Sequence, residues 1–182
     1  MMPANSKYRL GIRYGLITGI IYILLLVIRY RYTSSNPVYF GLFAIVSYFI
    51  ILLLFFFTGI MRKKELGGTG ETKDIFQAIF IAILIAECFY VLFNWIYFKY
   101  IDPAFWEKLK AASLAIMEKA KLPQDQIDEK MKSFKDVDQQ TKPRGLITGY
   151  GTSVVVDSIF GFLFAIILRT KKTVPISEVP KN

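Results

Sequence analysis

Four stretches of the chain are nearly unbroken apolar runs, at 11–28, 38–60, 75–98 and 146–168, each bounded by charged or turn-forming residues. A hydrocarbon core of about 30 Å is crossed by about 20 apolar residues in a helix. Backbone polar groups in lipid must be satisfied within the segment, so runs of this length predict transmembrane α-helices. The first run passes straight into Arg29, Tyr30, Arg31 and Tyr32 without a small-residue cleavage site. It therefore reads as a retained span and not as a signal peptide. The expected fold is all-α, four membrane helices forming one domain over residues 1–182.

The pattern changes after the third run. Residues 102–140 carry mixed charge with apolar positions at helical spacing, and Phe105, Leu109, Ala112 and Ile116 recur opposite Glu107, Lys108, Lys110 and Lys119. Asp102 and Pro103 predict a helix start, the acid capping free amides and the proline sitting in the first turn. Pro123 interrupts, and Ile127, Met131 and Phe134 mark a second helix. An extramembrane amphipathic hairpin between spans three and four is expected. Its stripe of Phe105, Leu109 and Ile116 has two readings: packing within the chain or on the membrane surface, or receiving a partner.

Against this apolar background, two acids stand out. Glu87 is the thirteenth residue of the 24-residue third run and Asp157 the twelfth of the 23-residue fourth. An acid at the bilayer midplane costs roughly 2.5–3.5 kcal/mol on insertion scales. Spans three and four are antiparallel, so both acids are expected at one height, where two close carboxylates do not both ionise readily and can share a proton. Asn94, seven residues beyond Glu87, extends a polar track. One reading is a proton or cation site, or a buried contact to another subunit; the other is a protonated pair bonding helix to helix.

Small residues recur every four positions in three spans: Gly11, Gly15 and Gly19; Ala78, Ala82 and Ala86; and Gly145, Gly149, Ser153, Asp157, Gly161 and Ala165. Such strips allow close helix packing. The pentapeptide Gly-Leu-Ile-Thr-Gly occurs at 15–19 and again at 145–149, in spans of opposite direction. An inverted two-plus-two repeat would align the first span with the third, so the recurrence reads as chance convergence on a packing motif.

Composition narrows the chemistry. The 182 residues are 54% apolar, with a formal charge of +9 and one cysteine, and they contain no histidine. The mean hydropathy is +0.41. A membrane accounts for the basic charge better than nucleic acid, and no nucleic-acid partner is expected. Without imidazole, the usual triads and most zinc sites are excluded. Cys88 has no partner for an intrachain disulfide and reads as a small core residue. Gly67, Gly68, Thr69 and Gly70 lack the Lys-Ser/Thr of a phosphate loop and read as a flexible linker, with Glu71, Thr72 and Asp74 capping the third helix. Asp125, Asp128, Glu129, Asp136 and Asp138 do not match a calcium loop. No metal site, cofactor or enzymatic activity is expected.

Orientation is read from Lys and Arg. Eleven lie on the side of the termini: Lys7, Arg9 and Arg13; Arg62, Lys63, Lys64 and Lys73; Arg169, Lys171, Lys172 and Lys181. Twelve lie opposite, ten of them interleaved with eight acids in the long segment. The first set is denser at helix ends, so cytoplasmic termini are expected. Tyr30, Tyr32, Tyr39, Trp95, Tyr97, Tyr100 and Trp106 share the side of the long segment as an expected headgroup belt.

Several of these features occur together in one family. Tyr14-Gly15-Leu16-Ile17-Thr18-Gly19 opens the first span, Gly67-Gly68 precedes the third, and Tyr97-Phe98-Lys99-Tyr100-Ile101-Asp102-Pro103 ends it; the charged helical segment and the glycine-bearing last span follow. Over nearly its whole length the chain resembles the small four-span membrane proteins of Bacteroidota known as domain of unknown function 4199. The resemblance implies a bacterial inner-membrane protein and carries over no activity, ligand or catalytic residue. The expected function is a non-enzymatic subunit or scaffold of an inner-membrane assembly, in contact with lipid and with a membrane-protein partner or another copy. The alternative is a small proton- or cation-coupled carrier or channel using Glu87 and Asp157. An enzyme acting on lipid-linked substrates ranks third.

Overall fold

The computed structural model describes residues 6–33, 35–129, 131–132 and 143–170. All regular structure among them is helical: α1 (Ser6–Thr33), α2 (Pro37–Glu65), α3 (Thr72–Ile96), α4 (Phe105–Lys119) and α5 (Pro143–Leu168). A π-helical turn, Tyr97–Ile101, continues α3. Four stretches are long and apolar enough to cross a membrane: Tyr8–Thr33, Pro37–Glu65, Thr72–Ile101 and Gly145–Leu168. Most run a few residues past the apolar stretch, since flanks such as Arg62, Lys63 and Lys64 keep their helical hydrogen bonds at the interface. Ile147 is 74% exposed, and Ile45 and Ile167 are each 69% exposed. This outer surface of large apolar side chains belongs against lipid.

Local signals fix the turns. Asn36 caps α2, its side chain accepting from the amides of Val38 at 3.0 Å and Tyr39 at 3.4 Å, and Pro37 occupies the first turn. Gly67 and Gly68 end the same helix at φ of +68° and +85°, with the Gly68 amide donating to the Lys63 carbonyl at 3.0 Å. The glycine pair expected to be a flexible linker is thus a helix-terminating turn that uses left-handed backbone. Glu71 sits at the N-cap of α3 without a side-chain capping bond.

α3 is the hub. It packs against α1, α2 and α5, while α2 also touches α1 and α5, so that α1 and α5 flank the α2–α3 pair. Small residues set the α1–α3 distance: a Cβ on Gly11 would lie 2.8 Å from the Ala78 carbonyl oxygen, on Gly15 3.0 Å from the Ala82 Cα, and on Gly19 2.7 Å from the Phe89 ring. On the opposite side, a Cβ on Gly161 of α5 would lie 2.9 Å from Ile79 and 3.1 Å from Ile83. Beyond α5, Thr170 donates its amide to the Gly70 carbonyl at 3.1 Å and its hydroxyl to that of Gly68 at 2.8 Å, clasping the helix end to the α2–α3 turn.

The far end of the bundle is closed by rings. Phe105 is 0% exposed and lies 5.1 Å from the Tyr30 ring, 5.6 Å from Phe40 and 5.4 Å from Phe98. Tyr30 is also buried, so it is a core residue and not part of the headgroup belt; Tyr32, Tyr39 and Tyr100 are exposed. Leu109 is buried with Phe105. Both are occupied within this chain, and only Ile116 of the expected partner stripe is exposed. Asp102 does not cap α4: Ala104 holds that position, and the Asp102 carboxylate pairs with Lys108 at 2.9 Å. After a turn at Lys121 (φ 52°) a short helical segment follows at 124–129, with Ile127 buried. Phe134, Asp136, Asp138, Lys171, Lys172 and Lys181 lie outside the described residues.

Candidate functional site

Glu87 continues the row Ile75, Ile79 and Ile83 along α3, and Asp157 continues the row Ala165 and Gly161 along α5. Residues four apart share a helix face. Because Gly161 lets Ile79 and Ile83 sit against α5, one further turn in each antiparallel helix brings Glu87 to Asp157. Glu87 is 1% exposed and Asp157 2%. The two acids, and Ser153 one turn from Asp157, lie close enough to interact electrostatically. From α2, the Tyr48 hydroxyl donates to Asp157 Oδ1 at 2.7 Å.

Glu87 Oε2 and Asp157 Oδ2 remain without a hydrogen-bond partner among the described residues. Two ionised carboxylates offer each other only acceptors. One proton between them turns one acid into a donor and satisfies both, which is the arrangement a dry site favours. α1 closes the site with Tyr22, stacked on Tyr90 of α3 at 4.8 Å, and both phenols lie within electrostatic range of Glu87. Tyr150 of α5 donates to the Leu84 carbonyl at 3.2 Å, within electrostatic range of the same acid. Every spanning helix therefore contributes a polar group. Two carboxyls close together, with a phenol donating to one of them, form an arrangement that can hold one proton.

Some sequence-level candidates lie elsewhere. Asn94 sits nearly two turns from Glu87, accepts from the Tyr30 hydroxyl and donates to the Tyr90 carbonyl at 2.8 Å. Its amide links α3 to α1 and does not touch the acids. Cys88 is exposed, not a core residue as expected. Gly15, Gly19 and Gly161 are in tight contact, whereas a Cβ on Gly149 would meet nothing within 4 Å. The tyrosines at 22, 48 and 90 were not among the expected site residues. Their signal is a hydroxyl placed mid-span, where phenylalanine would serve packing equally well.

No curated protein and no solved structure matches the chain. The model of one family, described as a protein of unknown function (DUF4199), matches residues 13–170. On that match, which takes in most of the first spanning helix, the other three and both buried acids, the chain belongs to the DUF4199 family.

Proposed function

We propose that this chain is a non-enzymatic, multi-pass protein of the bacterial inner membrane that takes up and releases one proton at the Glu87–Asp157 pair, coupling it to solute movement as a small carrier. The observation that carries this reading is the pair itself: acids from two helices meet in a nearly solvent-free centre, each with one oxygen that a shared proton would serve. Intramembrane acids facing a bundle interior mark proton relays and ion paths. The dense basic flanks favour cytoplasmic termini, which would put α4 on the opposite face.

Reconstitution into liposomes under an imposed pH gradient, with a lumenal pH dye, tests the reading. Wild-type protein is expected to pass protons with its solute, and Glu87→Gln or Asp157→Asn to abolish that flux while keeping a monodisperse profile in detergent. Unchanged flux in both variants removes the carboxyls from the mechanism.

A second reading, a subunit or scaffold, is favoured by Gly149. Its row on α5 is packed at Gly161 and open at Gly149, leaving a surface that another membrane helix fits. Affinity purification at native expression is expected to bring down a stoichiometric membrane partner that Gly149→Leu releases. Recovery of the chain alone would end this reading.

A further inference from the structure

We infer that Arg29 binds the phosphate of an anionic, amine-free phospholipid at the α4 end of the bundle, where its guanidinium is fixed on the Phe40 ring and keeps most of its donors unclaimed. The site stands apart from the Glu87–Asp157 pair, and its failure would leave the proton reading untouched.

Depth comes first. Arg29 lies in the last turns of α1, four residues before the helix ends at Thr33. At 1.5 Å per residue that is about 6 Å below the helix end. An arginine at this depth reaches the headgroup level along its own stem. Tyr32 and Tyr39, both exposed, mark the same level on α1 and α2.

The neighbours then fix the head group of the side chain. Arg29 Nε donates to the Phe40 carbonyl at 3.2 Å, tying the end of α1 to the start of α2. The guanidinium carbon lies 3.8 Å from the centre of the Phe40 ring and 6.0 Å from that of Tyr30. Phe40 is buried and backed from inside by Phe105 at 5.6 Å and Tyr30 at 6.2 Å, so the platform under the cation is part of the core. The Thr33 hydroxyl donates to the Arg29 carbonyl at 2.6 Å and holds the turn. A side chain held at both its backbone and its tip has little freedom left to lose when a ligand arrives.

What the guanidinium lacks is an anion. It carries five N–H donors, and among the described residues only Nε has an acceptor. The ion pairs among these residues are Arg62–Glu65 and Lys108–Asp102. The electrostatic neighbours of Arg29 are the phenols of Tyr30, Tyr90 and Tyr22, with no carboxylate. Arg29 is half-buried, so its remaining donors stand at the boundary between protein and lipid. Their planar fork matches two oxygens of one phosphate. Toward the midplane the same two helices expose Leu24, Leu42 and Ile45, which acyl chains would cover and a soluble phosphate would not. With no carboxylate beside the fork to receive a headgroup ammonium, phosphatidylglycerol fits better than phosphatidylethanolamine.

The test titrates the full chain, delipidated in a neutral detergent, with dioleoylphosphatidylglycerol, dioleoylphosphatidylethanolamine or dioleoylglycerol, and counts bound lipid by native mass spectrometry. Wild-type protein is expected to take up one phosphatidylglycerol at about tenfold lower concentration than the ethanolamine lipid, as one charge-assisted contact implies, and Arg29→Gln to erase that preference. Arg31→Gln makes the same charge change on an exposed side chain two residues away, and is expected to keep it. Arg29→Lys guards against a variant that merely fails to fold: it retains the charge, and is expected to lose part of the preference because an ammonium does not bind two oxygens side by side. Equal uptake of the two phospholipids by wild type, equal loss in Arg31→Gln and Arg29→Gln, or a full preference in Arg29→Lys would overturn the site. So would dioleoylglycerol binding as well as phosphatidylglycerol, which removes the phosphate, or release of bound lipid by inorganic phosphate, which removes the acyl chains from recognition.

Discussion

Gly15 begins one copy of the pentapeptide and Gly149 ends the other, and the two meet opposite surroundings. A methyl on Gly15 would lie 2.9 Å from the Ile85 Cβ and 3.0 Å from the Ala82 Cα, whereas one on Gly149 would meet open space. Gly15→Ala is therefore expected to destabilise by about 1–3 kcal/mol through overpacking. Gly149→Ala should stabilise by about 0.5–1 kcal/mol, since alanine restricts the unfolded chain. Thermal unfolding of both variants in one detergent checks this, and shifts of the same sign would contradict the packing described. Position in the sequence made the acids legible, because depth in a span follows from counting residues. The tyrosines around them were not legible, because whether a mid-span phenol turns inward depends on which helix lies beside it. Nor could identical pentapeptides reveal that the closing glycine is packed in one, at Gly19, and open in the other, at Gly149.

At the scale of elements, α4 behaves as the bundle's stopper. Phe105→Ala should cost about 3–5 kcal/mol, as for other fully buried rings, and expose the α4 segment to protease while the spans stay protected. Asp102→Asn should cost less than about 1 kcal/mol, because its partner Lys108 is largely exposed. Resistance of Phe105→Ala to limited proteolysis would show that α4 is held by something else. The lengths and apolarity of the spanning helices followed from hydropathy alone. The start of α4 did not: Asp102 and Pro103 carry a capping signal, but the π-helical turn takes the Asp102 amide to the Tyr97 carbonyl at 2.9 Å and delays the helix to Phe105. Such a wide turn follows from the ring packing of Tyr97 and Phe98 on Tyr30, a tertiary effect invisible to local propensity.

Across the described residues, large apolar side chains cover the outside as well as the core, and a few polar groups, Glu87 and Asp157 among them, are buried inside. Each midplane acid depends on a helix far from it in the chain. Protein synthesis delivers those helices one at a time. At roughly 5–20 residues per second, the roughly 70 residues between Glu87 and Asp157 separate their arrivals by roughly 4–14 s. During that interval α3 stands in the bilayer with its acid unanswered, while α4 and the charged stretch after it are still being made. A chain ending before α5 should accordingly be cleared from the membrane faster than the full chain, and Glu87→Leu in that shortened chain should slow the clearance, as pulse-chase would show. The acid pair thus works as a checkpoint on completeness: a nascent bundle carries a penalty at its centre until its last helix has come in.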